Sequence, residues 1–202
     1  MKKALSLVIS IIIAIQAVGC SRAPRLDLST FEKYVISDLE LEKKEALEES
    51  PLGYYLLDSA IDNTRDPSTK TDHYAQVYSK ATNGTIGELY MIYSDYQDET
   101  VARNFYNEVS ASEKQLVDES PDTHKSSSGN DYLLVMTTKD YMTYSFECLY
   151  IQKDIILFVS IILSASEVER MDADWLKKID KTFKHLRLHS PFGLAPEIED
   201  LL

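Results

Sequence analysis

Two cysteines, four histidines and thirteen tyrosines are where this chain of 202 residues carries chemistry beyond simple charge. Cys20 closes an uncharged run that begins at Ala4, and Cys148 lies on the apolar parity of a strand-like segment. A thiol attacks as its thiolate, yet no residue near Cys148 in sequence reads as an activating base, so Cys148 is expected to fill a core. His185 and His189 stand four apart, a spacing that can present two imidazoles to a metal from one helical face. They lack the intervening glutamate of metalloprotease helices and flank Arg187. A solvated helix end is the expectation there, and His73 and His124 fall in segments read as loops. The mature glycines are well separated, with no phosphate-cradling loop and no Gly-x-Ser-x-Gly elbow. Acidic runs such as Glu40-Leu41-Glu42 lack the Asp/Asn and glycine pattern of a calcium loop. No catalytic residue, metal or cofactor is therefore expected. Tyr78, Tyr90, Tyr93, Tyr132, Tyr141, Tyr144 and Tyr150 sit on strand-like segments, where a flat apolar ring with a polar tip seals the edge of a core or lines a binding groove. Most are expected at the edge of the core.

The first twenty residues carry the clearest message. Lys2 and Lys3 precede fifteen uncharged residues, Ala4 to Val18. A membrane span needs about 20 apolar residues, whereas the apolar core of a secretory signal needs roughly 7 to 15, closed by small residues. Ala17 and Gly19 supply the small residues. The stretch Ala17-Val18-Gly19-Cys20 resembles the lipobox of bacterial lipoproteins, with Ala17 where that class usually has Leu. The resemblance covers the leader and Cys20 alone. It implies a diacylglyceryl group on the Cys20 sulfur, cleavage between Gly19 and Cys20, and acylation of the new amino terminus. Ser21 after the cysteine resembles the sorting pattern of outer-membrane lipoproteins in cells that have an outer membrane. Each buried methylene of the acyl chains contributes about 0.8 kcal/mol, so two or three chains hold a domain at a bilayer that one would hold only marginally.

Loss of Lys2 and Lys3 with the leader takes the net charge from −12 to −14. So acidic a chain is a poor partner for nucleic acid or anionic lipid, both of which need clustered Lys and Arg. With Cys20 lipidated, Cys148 has no intramolecular disulfide partner, and stability rests on packing.

The elements that must position these residues read as follows. Residues 20–29 form a lipid-anchored tether, extendable to about 30 Å at 3.3 Å per residue. Residues 30–72 form a helix and loop extension, with a capping box at Ser29 and Glu32, a helix from Thr30 to Glu48 bearing Phe31, Val35 and Leu39, a stretch GYYLLDSAI that reads as a strand or a helical turn, and a loop, NTRDPSTKTD. Residues 73–188 form an α+β core domain. HYAQVYS and ELYMIYS flank an Asn83-Gly84 turn. A helix follows, capped by Ser94 or Asp95, with Val101, Phe105 and Val109 as its stripe. After a polar loop, SPDTHKSSSGND, come three strands: DYLLVMTT, YMTYSFECLYIQ and DIILFVSIIL. In the middle strand Tyr144, Phe146, Cys148 and Tyr150 alternate with Thr143, Ser145 and Glu147, the pattern of a sheet with one wet face. In the last, both faces are apolar, which calls for helices on one side and the amino-terminal segment or a partner chain on the other. A closing helix, Asp172 to Leu188, buries Trp175, Leu176, Ile179, Phe183 and Leu186. Residues 189–202 read as an acidic tail, disordered by default.

The expected fold is therefore α+β: an antiparallel sheet of about five strands with two or three helices packed on it, in the order ββαβββα after an amino-terminal helix. This element order is similar to that of small envelope lipoproteins and PsbP-like domains, which alone does not assign function. The expectation is a lipid-anchored binding or accessory module of the bacterial envelope, not an enzyme. Its site would be the cell membrane or outer membrane, facing out of the cytoplasm, with an envelope protein or cell-wall component as partner. The alternatives are an envelope enzyme assembled from distant residues and a structural subunit of an envelope complex.

Overall fold

Asp27 begins the first helix. In the computed structural model, which describes residues 24–44, 53–58, 69–78, 86–140, 143–164 and 172–202, helix α1 spans Leu28–Leu39. The Asp27 carboxylate accepts from the Thr30 N–H at 3.0 Å and from the Ser29 hydroxyl at 2.7 Å. The cap is Asp27 and not the expected Ser29, its ionised carboxylate making a charge-assisted bond to the free N–H that a serine hydroxyl would make more weakly. The helix also stops early. Glu40 takes a left-handed conformation (φ 57°), its N–H bonded to the Ile36 carbonyl, and residues 42–44 are already strand. The rest of the expected helix, residues 45–48, lies outside the described residues.

Part of the expected tether belongs to the folded body. Leu26 is 0% exposed, its N–H donates to Gln152 Oε1 at 2.9 Å, and the Arg25 N–H donates to the Leu186 carbonyl at 2.8 Å. Residues 24–29, read from sequence as linker, belong to the folded body because Leu26 and Phe31 bury side chains that a solvated linker would leave in water.

The α+β reading holds. The five strands legible in the sequence lie side by side in the sheet: β3 (Thr69–Tyr78), β4 (Ile86–Tyr96), β8 (Ile155–Ser164), β7 (Thr143–Gln152) and β6 (Tyr132–Asp140). Three further strands extend its edges to eight: β1 (Glu42–Lys44) and β2 (Gly53–Asp58) beyond β3, and β5 (His124–Ser128) beyond β6. β1 and β2 run parallel, and every other neighbouring pair is antiparallel. β5 lies inside the segment read as a polar loop. His124 accordingly stands on a strand, which HKSSS, having no apolar alternation, does not announce and which its pairing with β6 holds; His73 stands on β3, which begins at Thr69, inside the expected loop. The Asn83-Gly84 turn lies outside the described residues, although β3 and β4 pair as that turn would require.

One face of the sheet carries Leu89, Met91 and Tyr93 from β4, Leu157, Val159 and Ile161 from β8, and Phe146, Cys148 and Tyr150 from β7. Helix α1 and helix α3 (Ala173–Leu186) cover part of this face. The remainder is covered by residues 189–202, which do not form the expected loose tail. A 3-10 turn (Pro191–Leu194) and helix α4 (Pro196–Glu199) bury Phe192, Ala195 and Ile198 there. Tyr144 donates to Glu197 Oε1 at 2.8 Å, and burial pushes its phenol up to about 12. The apolar residues interleaved with the acids decide the matter, each fully buried Phe or Ile side chain contributing roughly 1.5–3 kcal/mol.

Helix α2 (Glu99–Glu119) covers the other face, over Leu133, Val135, Leu149, Ile151 and Ile156. The amino-terminal segment instead docks on the first face, so the dry second side of β8 is explained by α2 as far as Phe158, while Ile162 stays 38% exposed. The buried stripe of α2 is Ala102, Tyr106 and Ser110, one residue on from the expected one, and Phe105 is 38% exposed. Its cap is Asp98, accepting from Thr100 and Val101 N–H at 2.8 and 3.0 Å, later than the expected Ser94 or Asp95, which remain in β4.

Candidate functional site

Arg103, Tyr106, Asn107, Ser110, Ala111 and Lys114 recur at the three- and four-residue spacing that aligns side chains on one helical face. Opposite them on α2 stands the turn between β5 and β6. Gly129 is required in that turn by close approach: a Cβ there would lie 2.5 Å from Tyr132 Cε1. With the turn so placed, the Gly129 carbonyl accepts from the Tyr106 hydroxyl at 3.4 Å and the Asn130 carbonyl accepts from Arg103 Nη1 at 2.7 Å. Helix and turn enclose an open cleft of about 480 Å³, within the size range of small-molecule sites.

Its lining is mixed polar and apolar, and Arg103 is held in place on it. The Arg103 guanidinium lies 5.5 Å from the Tyr106 ring centroid, a cation–π placement, and its bond to Asn130 holds it there. Lys114 has no acidic partner among the described residues. The Ser110 hydroxyl is buried beside the Tyr106 phenol and interacts with it. Burial raises the Tyr106 phenol above the ordinary tyrosine range, with the Ser110 hydroxyl and then Arg103 pulling the other way and Asp131 adding to the rise. Tyr106 is therefore a neutral donor at physiological pH.

Residues singled out by sequence lie elsewhere. Gly19 and Cys20 are outside the described residues. Cys148 is buried in the first core, and burial pushes its thiol well up. His185 and His189 diverge: His185 Nδ1 lies 2.6 Å from Asp38 Oδ2 and its ring stacks on Tyr34, whereas His189 stacks on Tyr132 at 4.0 Å. His124 Nδ1 lies 2.9 Å from Thr123 Oγ1 and 3.2 Å from the Ser120 carbonyl. Among the described residues, no three His, Cys, Asp or Glu side chains converge as metal ligands. Tyr93, Tyr144 and Tyr150 are buried core residues, Tyr150 donating to the His189 carbonyl at 2.6 Å. Tyr90 and Tyr132 are half-buried. Tyr141 lies outside the described residues, and Tyr78 is placed only by its register opposite Glu88.

Arg103, Ser110 and Lys114 were not legible as a site. On an amphipathic helix such residues read as solvated surface, and only the return of the Gly129 turn against α2 makes them a wall. Below the second half of α2, Glu113 approaches the sheet near Glu147. Burial raises its carboxyl, Glu147 raises it further, and His124 opposes.

No protein-family model matches the chain, and no curated protein is significantly similar to it.

Proposed function

We propose that this protein is a lipid-anchored, extracytoplasmic lipoprotein serving as a small binding or accessory module of the bacterial cell envelope, held at the cell membrane or outer membrane through Cys20. The observation that carries the anchor is the run from Lys2 to Cys20, in which a positive start, a short apolar core and Ala17-Val18-Gly19-Cys20 agree. The docking of Pro24 to Leu26 on the body supports it by leaving a linker of about four residues, roughly 13 Å when extended. A body joined so closely needs no membrane-adsorbing charge of its own, consistent with its acidity. Among the described residues, no helix is long and apolar enough to cross a membrane.

The binding role is supported by the cleft, which Arg103, held on the Asn130 carbonyl, lines together with Asn107, Asn130 and Lys114. A nucleophile needs a base within hydrogen-bonding reach, and Ser110 has none among the described residues. The test of the anchor is Cys20→Ala. The expected result is an unprocessed or released protein; a variant still cleaved at Gly19 and still sedimenting with membranes overturns the reading.

A further inference from the structure

We propose that an extended, acidic segment of a partner polypeptide adds to the outer edge of β5, antiparallel to it and alongside α2. This deepens the binding-module reading and rests on it, though not on the lipid anchor.

The hydrogen-bond pattern comes first. The Gly129 N–H donates to the Tyr132 carbonyl and the Thr138 N–H to the Thr123 carbonyl, so positions 123 and 129 belong to hydrogen-bonded pairs with β6. Such pairs alternate along an antiparallel ladder. Lys125 and Ser127 are therefore among them, and the backbone groups of His124, Ser126 and Ser128 turn outward. The His124 N–H is taken by the Ser120 carbonyl at 3.0 Å. Those of Ser126 and Ser128, both exposed, meet no partner among the described residues, and β5 ends the sheet. Free N–H and C=O groups repeating at every second residue are matched by another extended backbone. The usual guards of an edge are missing here: HKSSS has no proline, its pairing with β6 has no bulge, and Lys125 reaches away to the Leu194 carbonyl.

Helix α2 sets the chemistry of the segment. The bond from His124 to Ser120 at one end and from Arg103 to Asn130 at the other lay α2 alongside β5, running the opposite way. Ser126 and Ser128 stand opposite Val135 and Leu133, on the face that α2 covers. Every second side chain of an added strand therefore meets the flank of α2 and its cleft. Arg103 and Lys114 mark the two ends of that flank, about 16 Å apart along the axis at 1.5 Å per residue, and no carboxylate lines the cleft. Side chains four residues apart on a strand are separated by about 13 Å, so each cation takes its own acid. A second copy of this chain is a poorer occupant. Pairing β5 with β5 offers short polar side chains where a stable interface needs roughly 1,000 Å² of well-packed surface, and it joins two strongly acidic bodies.

The probe is a heptapeptide, Thr-Glu-Val-Ser-Val-Glu-Thr, with fluorescein at its amino end and an amide at its carboxyl end, added to the full-length protein in detergent and followed by fluorescence anisotropy. It should bind saturably, and more weakly as salt rises. In antiparallel pairing the peptide residues that face the cleft are also those whose N–H groups face β5. N-methylation of the two glutamates and the serine should therefore abolish binding, whereas N-methylation of the two valines should leave it in place. Glutamine for both glutamates should weaken binding about tenfold, and Lys114→Gln, at an exposed residue, about threefold. Ser126→Pro removes an outward N–H at a position where an edge strand tolerates proline, and should abolish binding without lowering the melting temperature. Equal loss with both methylated peptides, loss with the valine set instead, affinity unchanged in Lys114→Gln, no saturation at millimolar peptide, or a dimer in sedimentation that Ser126→Pro dissolves would each overturn the inference. Anchorage is scored separately by fractionation of Cys20→Ala, so failure of the peptide arm leaves the anchor standing.

Discussion

Asp38 and His185 join the first and third helices: the Asp38 carboxylate, only 3% exposed, lies 2.6 Å from His185 Nδ1. Lys181 reaches the other carboxylate oxygen at 3.0 Å. Asp38 thus occupies the buried stripe of α1 beside Val35 and Leu39, satisfied by two donors from α3. Asp38→Ala removes both contacts at once, whereas loss of Lys181, whose side chain is 59% exposed, leaves the His185 bond to the carboxylate in place. Asp38→Ala should destabilise the protein by about 2 kcal/mol and Lys181→Ala by less than about 0.5 kcal/mol. Chemical denaturation would show this ordering, and a double-mutant cycle with His185→Ala would show coupling; additivity of Asp38→Ala and His185→Ala would refute it.

Phe192 is 0% exposed and meets Phe146 edge-on, with ring centroids 5.6 Å apart. Phe192→Ala should cost about 3–4 kcal/mol, the range for emptying a buried aromatic site. A melting temperature unchanged by the substitution would mean that the carboxyl-terminal segment does not close the core.

The Cys148 thiol, raised by burial, should be inert. Thiol reagents at pH 8 should leave native Cys148 unmodified for hours and modify it within minutes in denaturant, as followed by mass spectrometry. Rapid labelling of the native protein would mean that β7 is accessible.

Glu113 sets a pH dependence. Its folded-state pKa is raised from 4.5 by burial first and Glu147 second, so the folded protein holds this proton more tightly than the unfolded chain. The stability linked to that proton is present at acid pH and lost as pH rises through the folded value. Glu113→Gln should therefore be more stable than the parent at pH 7, with the advantage vanishing below about pH 4. Thermal unfolding across that window checks it; an advantage that persists at pH 3 would point to packing instead.

Much of the fold was legible because local periodicity reports which faces are dry. Tyr144, Phe146, Cys148 and Tyr150 alternate in sequence and share the first core. Leu149 and Ile151, which break that alternation, lie under α2. The expected stripe of α3 is the buried one. Misreadings fall where a local signal had a stronger neighbour. Ser29 yielded the α1 cap to Asp27, and the α2 stripe turned by one residue to put Tyr106 inward.

The sequence by itself determined the five central strands and the main helices, and it is the sole ground for proposing a leader and a lipid cysteine, since charge, apolar length and periodicity belong to contiguous residues. Only the tertiary structure decided that Leu26 and Phe192 enter the core, that HKSSS is a strand, that α2 takes the second face, and that Arg103 and Lys114 line a cleft. Each of these depends on residues far apart in the chain meeting across the sheet, and such meetings leave no periodic trace in either partner alone.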